Sequence, residues 1–312
     1  MMPRKIAFGE NAAKEFQYPK NSLVITTTTP DIYNKWLDYM GIKNYEVYDK
    51  VTPDPSIEAI EAIKKQYEGR EIGAYIGLGG GSSMDVCKYL SKLTGIPKIL
   101  IPTTFGTGAE MTTYAVISFE HKKKLLQDEA FLADAAIVDP YFLPGTPFNI
   151  LRNSACDAAA QASEGYDSKA GNPFTQFFCR EAFDILYDAI MNDKHHLLPY
   201  GAMLSGIGFG NSSTTLGHAL SYVFSNEGVP HGYALSSCTT VAHKFNNSPY
   251  YKRFKEIAQK FKFEPLKLKQ PLDAAADVIM PDRGHLDNNP IPVSKQDVIK
   301  CLDEIVNTNP LA

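Results

Sequence analysis

Two histidines stand thirteen residues apart, in Gly217-His218-Ala219-Leu220-Ser221-Tyr222 and Val229-Pro230-His231-Gly232. Upstream, Asp157 and Gln161 stand four residues apart. Together they offer one carboxylate oxygen, one amide oxygen and two imidazole nitrogens to a divalent metal. Borderline ions such as Fe²⁺ and Zn²⁺ accept imidazole and carboxylate together. Asp157 and Gln161 share a face if their segment is helical. His218 falls in another helical pattern, and His231 follows Pro230 near a helix start. Spacing alone leaves a second reading open, in which each is an ordinary core or surface residue. The other histidines, His121, His195, His196, His243 and His285, are assigned surface or structural roles.

Two polar loops point to a nucleotide. The run Gly79-Gly80-Gly81-Ser82 follows a strand pattern and opens a helix pattern. Glycines let backbone approach a phosphate, and a helix N-terminus offers unpaired N–H groups. A tight strand–helix turn uses glycine as well, and G-x-G-x-x-G is not present. The second loop, Pro102-Thr103-Thr104-Phe105-Gly106-Thr107-Gly108-Ala109-Glu110, also follows a strand. Its hydroxyls and glycines can wrap a ribose or diphosphate, or form an ordinary turn. Two such loops at one sheet edge favour the ligand.

The elements that must position these residues change character near residue 147. Strand patterns at 22–26, 72–78, 98–102 and 135–139 alternate with helix patterns at 56–67 and 83–93, with Ser56 as a candidate cap. Such alternation predicts a mostly parallel sheet covered by helices. Helical patterns then dominate, at 150–168, 174–191, 200–209, 214–225, 233–245 and 250–261. A last helix near 296–306 follows Ser294, a plausible N-cap. The proline-rich stretch 265–292 is poorly periodic, and Lys122-Lys123-Lys124 reads as a solvated turn. The expectation is an α/β nucleotide-binding domain over residues 1–147 and an all-α metal-binding and substrate domain over 148–312.

Composition narrows the class. Of 312 residues, 44% are hydrophobic and 21% charged, ordinary for a globular protein. A net charge of −4 gives no footprint for nucleic acid or an anionic membrane. No stretch approaches the roughly 18 apolar residues of a membrane helix, and the N-terminus lacks a secretory apolar run. The five cysteines are scattered with no C-x-x-C pair, which implies free thiols and a cytoplasmic location.

In order along the chain, these segments resemble the iron-containing (group III) alcohol dehydrogenase family. The match begins at Lys5-Ile6-Ala7-Phe8-Gly9 and runs through Gly79 to Asp85 and the Pro102–Glu110 loop, its most specific part. It continues at Ala136 to Pro140, Asp157 to Tyr166, His218, Val229 to Gly232 and Asn289-Pro290. The resemblance implies a dehydroquinate synthase-like architecture with the active site in the cleft between domains. It implies NAD(P)H and a metal, Fe²⁺ or Zn²⁺, held by Asp157, His218 and His231 with Gln161 as fourth ligand. Gly80, Gly81, Ser82 and Asp85 would hold the diphosphate and nicotinamide side. Thr103, Thr104, Thr107 and Thr112 would line the rest, with Lys123 added from a loop shorter than usual in the family. The implied reaction is hydride transfer from nicotinamide to a small aldehyde whose oxygen meets the Lewis-acidic metal. A homodimer through the N-terminal strands is also implied.

Three departures matter. The family usually has His where this chain has Gln161, and an amide oxygen is a weaker ligand. It often has Asp where this chain has Thr27; that Asp would repel a 2′-phosphate, so Thr27 admits NADP(H). It often has a second His where this chain has Tyr222. Gln161 and Gly228-Val229-Pro230-His231-Gly232-Tyr233 resemble a branch that reduces phosphonoacetaldehyde, for which Arg152, Lys169 and Arg180 are candidate anion partners. Two alternatives are a dehydroquinate-synthase-like lyase that oxidises transiently, and a degenerate relative that only binds nucleotide.

Overall fold

A computed structural model describes residues 1–120 and 122–311; His121 lies outside the described residues. The chain divides into two compact units, Met1–Gly145 and Thr146–Ala312.

The first unit contains β1 (Ile6–Phe8), α1 (Ala12–Glu15), β2 (Ser22–Ile25), α2 (Pro30–Met40), β3 (Tyr45–Tyr48), α3 (Ile57–Gln66), β4 (Ala74–Gly79) and α4 (Gly81–Thr94). It continues with β5 (Lys98–Pro102), β6 (Tyr114–Phe119), β7 (Lys122–Gln127) and β8 (Ala135–Val138). Six strands form one parallel sheet in the order β1-β8-β5-β4-β2-β3. β2, β4, β5 and β8 are buried along their whole length, the expected state of parallel strands covered on both faces. Ser56 caps α3 by accepting from the Ala59 N–H, as its sequence position predicts. β2 is flanked by β3 and β4, so the chain reverses its direction across the sheet there. Ligands of open α/β sheets bind beyond the carboxyl ends of strands at such a reversal.

One expectation fails here. Lys122–Lys124 is no turn; it begins β7, which pairs antiparallel with β6. Ala115 and Ile117 on β6 are buried while Val116 and Leu125 are exposed. That alternation, and not the lysine run, decides the structure. The hairpin is anchored by the Ser118 N–H donating to Pro55 O at 2.9 Å.

The second unit is helical: α5 (Phe148–Asp167), α6 (Pro173–Met191), α7 (Leu198–Phe209), α8 (Leu216–Asn226), α9 (His231–Asn246) and α10 (Tyr251–Lys260). α11 (Leu272–Ile279), α12 (Arg283–Asn288) and α13 (Lys295–Asn307) complete it. The stretch 265–292, expected to be irregular, thus carries α11 and α12. Both are short, and periodicity is weak evidence below about ten residues. Ala275, Ala276, Ile279 and Leu286 nevertheless join the core formed by α8, α9 and α13. Ser294 and Asp297 form a capping box at α13. No helix among the described residues is long and apolar enough to cross a membrane.

Candidate metal centre and nucleotide loops

The side chains of the second unit converge from three helices. Asp157 and Gln161 lie one turn apart on α5, His218 near the start of α8, and His231 at the first position of α9. Ligand atoms of Asp157, His218 and His231 all lie within 4.8 Å of one another. The Nε2 atoms of both histidines are 3.9 Å from Asp157 Oδ1. Gln161 Nε2 donates to Asp157 Oδ1 at 2.9 Å, which leaves Gln161 Oε1 buried with no hydrogen-bond partner.

Each imidazole is held from behind. His218 Nδ1 lies 3.2 Å from Glu164 Oε2, off the line of an ideal hydrogen bond. The Ser221 hydroxyl donates to His218 O at 2.7 Å, so its oxygen is placed to accept from His231 Nδ1 at 3.3 Å. With Nδ1 turned toward Glu164 in one ring and toward Ser221 in the other, each Nε2 faces Asp157 and is placed to ligate a metal. Orientation of this kind is the usual support of metal-ligating histidine.

Glu164 is fully buried on α5 and accepts from Thr215 N (2.7 Å), Thr215 Oγ1 (3.0 Å) and Thr239 Oγ1 (2.9 Å). Burial opposes its charge, but His218, His243 and the Thr215 N–H prevail and hold its carboxyl down at about 2. Burial likewise opposes charge on His218, and Glu164 prevails there by raising its proton affinity. Asp157 is pushed up to about 6 by burial, which His218 and Gln161 only partly offset. One carboxylate and two imidazoles whose ligand atoms lie this close fit a divalent metal, and the buried, unpartnered Gln161 Oε1, on the residue one turn from Asp157, is a further oxygen donor beside them.

Glu164 was not singled out from sequence. Its signal is positional: it lies seven residues after Asp157, on the same helical face. Gly217 is a second missed feature, because a Cβ there would collide with Glu164 Oε1 and Thr239 Oγ1. The third is His285. Its Nδ1 sits 2.9 and 2.8 Å from the two Asp282 oxygens, and its ring is 6.1 Å from that of His218. Tyr222 lies between, 6.2 Å from the His231 ring and 5.8 Å from the His285 ring. D-x-x-H is legible as an i,i+3 pair only once the segment is known to be helical.

The candidate anion partners contact other groups, although Arg152 Nε is buried without a hydrogen-bond partner. Arg152 donates to Phe261 O at 3.2 Å and packs over Phe263, Lys169 donates to Asp287 O, and Arg180 pairs with Glu181.

In the first unit the two loops leave adjacent strands. Gly79 pairs with Pro102, and the Thr103 N–H donates to Gly79 O at 3.0 Å. Gly79 has φ +154, and a Cβ on it would lie 2.6 Å from Ser83 Oγ. A Cβ on Gly80 would lie 3.1 Å from Thr104 Oγ1, and one on Gly81 3.3 Å from Thr107 Cγ2. Gly80 caps α4, with Gly81 and Ser82 in its first turn, so their N–H groups have no partner within the helix. Thr27 is exposed just past β2, next to β4 in the sheet.

Three other expected cofactor residues face different partners. Asp85 is buried and its Oδ2 accepts from Val116 N at 3.2 Å. Thr112 is buried beside Lys88, whose Nζ lies 3.4 Å from its Oγ1 and 2.6 Å from Tyr114 O. Lys123 forms a 2.8 Å ion pair with Asp54. Burial moves all three ionisable groups of this cluster: Asp85 up to about 6, Glu110 up to about 7 and Lys88 down to about 8. They tie α4 to β6 behind the glycine turn.

A parallel nucleotide-type unit followed by a helical unit with an Asp/His/His centre defines a class of two-part, metal-dependent oxidoreductases. Residues 3–140 match the iron-containing alcohol dehydrogenase family, and residues 153–280 match the C-terminal region of the same family. The chain belongs to the iron-containing alcohol dehydrogenase family, and it is an oxidoreductase of the alcohol dehydrogenase and aldehyde reductase type. It is 30% identical over 261 residues to 4-hydroxybutyrate dehydrogenase of Clostridium kluyveri, covering 74% of this chain and 70% of the relative. It is 26% identical to sulfoacetaldehyde reductase of Bilophila wadsworthia in an alignment covering 99% of this chain and 94% of the relative. The structure of sulfoacetaldehyde reductase from Bifidobacterium kashiwanohense in complex with NAD⁺ has the same fold, with TM-score 0.89 and 20% identity over 99% of this chain and 98% of that one.

Proposed function

We propose that this chain interconverts a small aldehyde and its primary alcohol, using NAD(P)H and one divalent ion, Fe²⁺ or Zn²⁺. The single observation that carries the reading is the convergence of ligand atoms of Asp157, His218 and His231 within 4.8 Å of one another. A divalent ion bound there supplies Lewis acidity toward a substrate oxygen, and the nicotinamide supplies hydride. Asp157, His218 and His231 hold the ion, with Gln161 Oε1 as fourth donor. Glu164 and Ser221 fix both imidazoles in the ligating tautomer. Gly80, Gly81 and Ser82 receive the diphosphate, and Thr103, Thr104 and Thr107 form the facing wall of that loop pair. Thr27 replaces a carboxylate and admits a 2′-phosphate.

Because two sulfoacetaldehyde reductases are among the similar proteins, phosphonoacetaldehyde is kept as a second substrate reading. A homodimer through the N-terminal strands is supported by β1 at a sheet edge with Phe8 57% exposed. A cytoplasmic location is supported by five cysteines that are all buried and unpaired.

His231→Ala tests the reading. The expected result is a folded protein that has lost both bound metal and aldehyde-dependent oxidation of NADH and NADPH. Full metal content with full turnover contradicts it. In the wild type, strong preference for NADH over NADPH in kcat/KM contradicts the role given to Thr27.

A further inference from the structure

We propose that Gln161 governs which ion the centre takes, by turning its amide oxygen onto the cation that Asp157 holds. An oxygen at this place narrows the lead of Zn²⁺ over the oxygen-preferring Mn²⁺, with Fe²⁺ between them. The inference rests on the metal-dependent reading above and deepens it.

Gln161 is 5% exposed and lies one turn from Asp157 on α5. Its Nε2 stands 2.9 Å from Asp157 Oδ1. That same oxygen lies 3.9 Å from Nε2 of both His218 and His231. A half-turn about the last side-chain bond exchanges the two ends of an amide. It brings Oε1 close to the place where Nε2 stands, with no movement of α5. Two donors that each lie about 2.1 Å from one ion stand about 3.0–3.4 Å apart, close to that separation. The turned amide therefore reaches a cation shared by Asp157 and the two imidazoles.

Two orientations of the amide compete. In the one seen here, Nε2 donates to Asp157 Oδ1, and Oε1 is buried with no hydrogen-bond partner. An unmade hydrogen bond in the interior is costly. In the other, Oε1 gains the cation, and Asp157 Oδ1 gives that cation the lone pair it gave to Nε2. A cation at Asp157 repels the positive NH₂ end of the amide and attracts its oxygen, so it favours the turned form. The choice of ion follows from the donors. His218 and His231 supply nitrogen, which suits Zn²⁺ and Fe²⁺, whereas Asp157 and Gln161 supply oxygen, which suits Mn²⁺. The remaining buried carboxylate, Glu164, is occupied by Thr215 and Thr239. The neutral amide thus adds an oxygen without adding charge.

The test measures binding, not turnover. Full-length wild type, Gln161→His and Gln161→Leu are stripped with a chelator. Each is titrated with Mn²⁺, followed by electron paramagnetic resonance, and then with Zn²⁺ in competition. Wild type should bind one ion per chain. The ratio of Zn²⁺ to Mn²⁺ affinity should rise at least about tenfold in Gln161→His, through a gain in Zn²⁺ affinity. Gln161→Leu should lose at least about tenfold in Mn²⁺ affinity, and more than it loses in Zn²⁺ affinity. An unchanged or lower ratio in Gln161→His, or unchanged Mn²⁺ affinity in Gln161→Leu, overturns this inference alone. Wild type that binds neither ion stoichiometrically overturns the metal-dependent reading with it. Should Gln161→Leu fail to fold, the ratio in Gln161→His decides.

Discussion

The candidate metal centre and the proposed nucleotide loops solve opposite problems. The centre depends on side-chain identity: atoms from α5, α8 and α9 meet because a buried carboxylate, Glu164, organises the histidine and threonines around it. The loops depend on missing side chains: Gly79, Gly80 and Gly81 lie against Ser83, Thr104 and Thr107 at distances that leave little or no room for a Cβ. One region is built by what is present behind the ligands, the other by what is absent in front of a phosphate. Damage to each should therefore have a different signature.

The largest effect is expected at Glu164. Glu164→Ala strands His218, Thr215 and Thr239 in the core, and breaking such a buried network costs about 3–5 kcal/mol. Urea unfolding should show that loss, together with lost metal. A stability change within error would mean that Glu164 does not organise the centre.

Gly79→Ala should act on the other region. The new Cβ must move Ser83 Oγ and adopt a φ that alanine resists, at a cost of about 1–3 kcal/mol. NADH affinity should fall by at least about tenfold while metal content stays at wild type. Parallel loss of metal and cofactor would erase the distinction between the regions.

The smallest effect is a pH dependence behind the glycine turn. Glu110 is raised by burial to about 7, so its contribution to stability is present at low pH and lost as pH rises from about 4.5 through about 7. Glu110→Gln removes that loss. The variant should gain in Tm relative to wild type at pH 8 and show little gain at pH 4.5. The same difference at both pH values would show that Glu110 is not buried as a titrating group.

The same contrast explains what was legible in the sequence. Asp157 and Gln161 were readable as an i,i+4 pair, and Pro230-His231 as a helix start, because local periodicity encodes both. The glycine turn was readable because strand, glycine run and helix are contiguous. Glu164, Gly217 and His285 were missed because their roles arise from packing between elements far apart in the chain. The β6–β7 hairpin is hard to read from sequence because three consecutive lysines mask the strand pattern, while its buried residues Ala115 and Ile117 lie on the partner strand. Asp85 and Thr112 show a further limit of the sequence: it gave no sign of their hydrogen-bond partners, Val116 and Lys88, which lie on other elements.

The central claim is that Asp157, Gln161, His218 and His231 form one metal site. Anomalous diffraction from crystals grown with Fe²⁺ or Zn²⁺ tests it most directly. The account predicts a single strong peak about 2.0–2.2 Å from Asp157 Oδ1 and from both histidine Nε2 atoms, with Gln161 Oε1 turned toward it. A peak held by other residues, or none at a metal concentration that supports turnover, would contradict it.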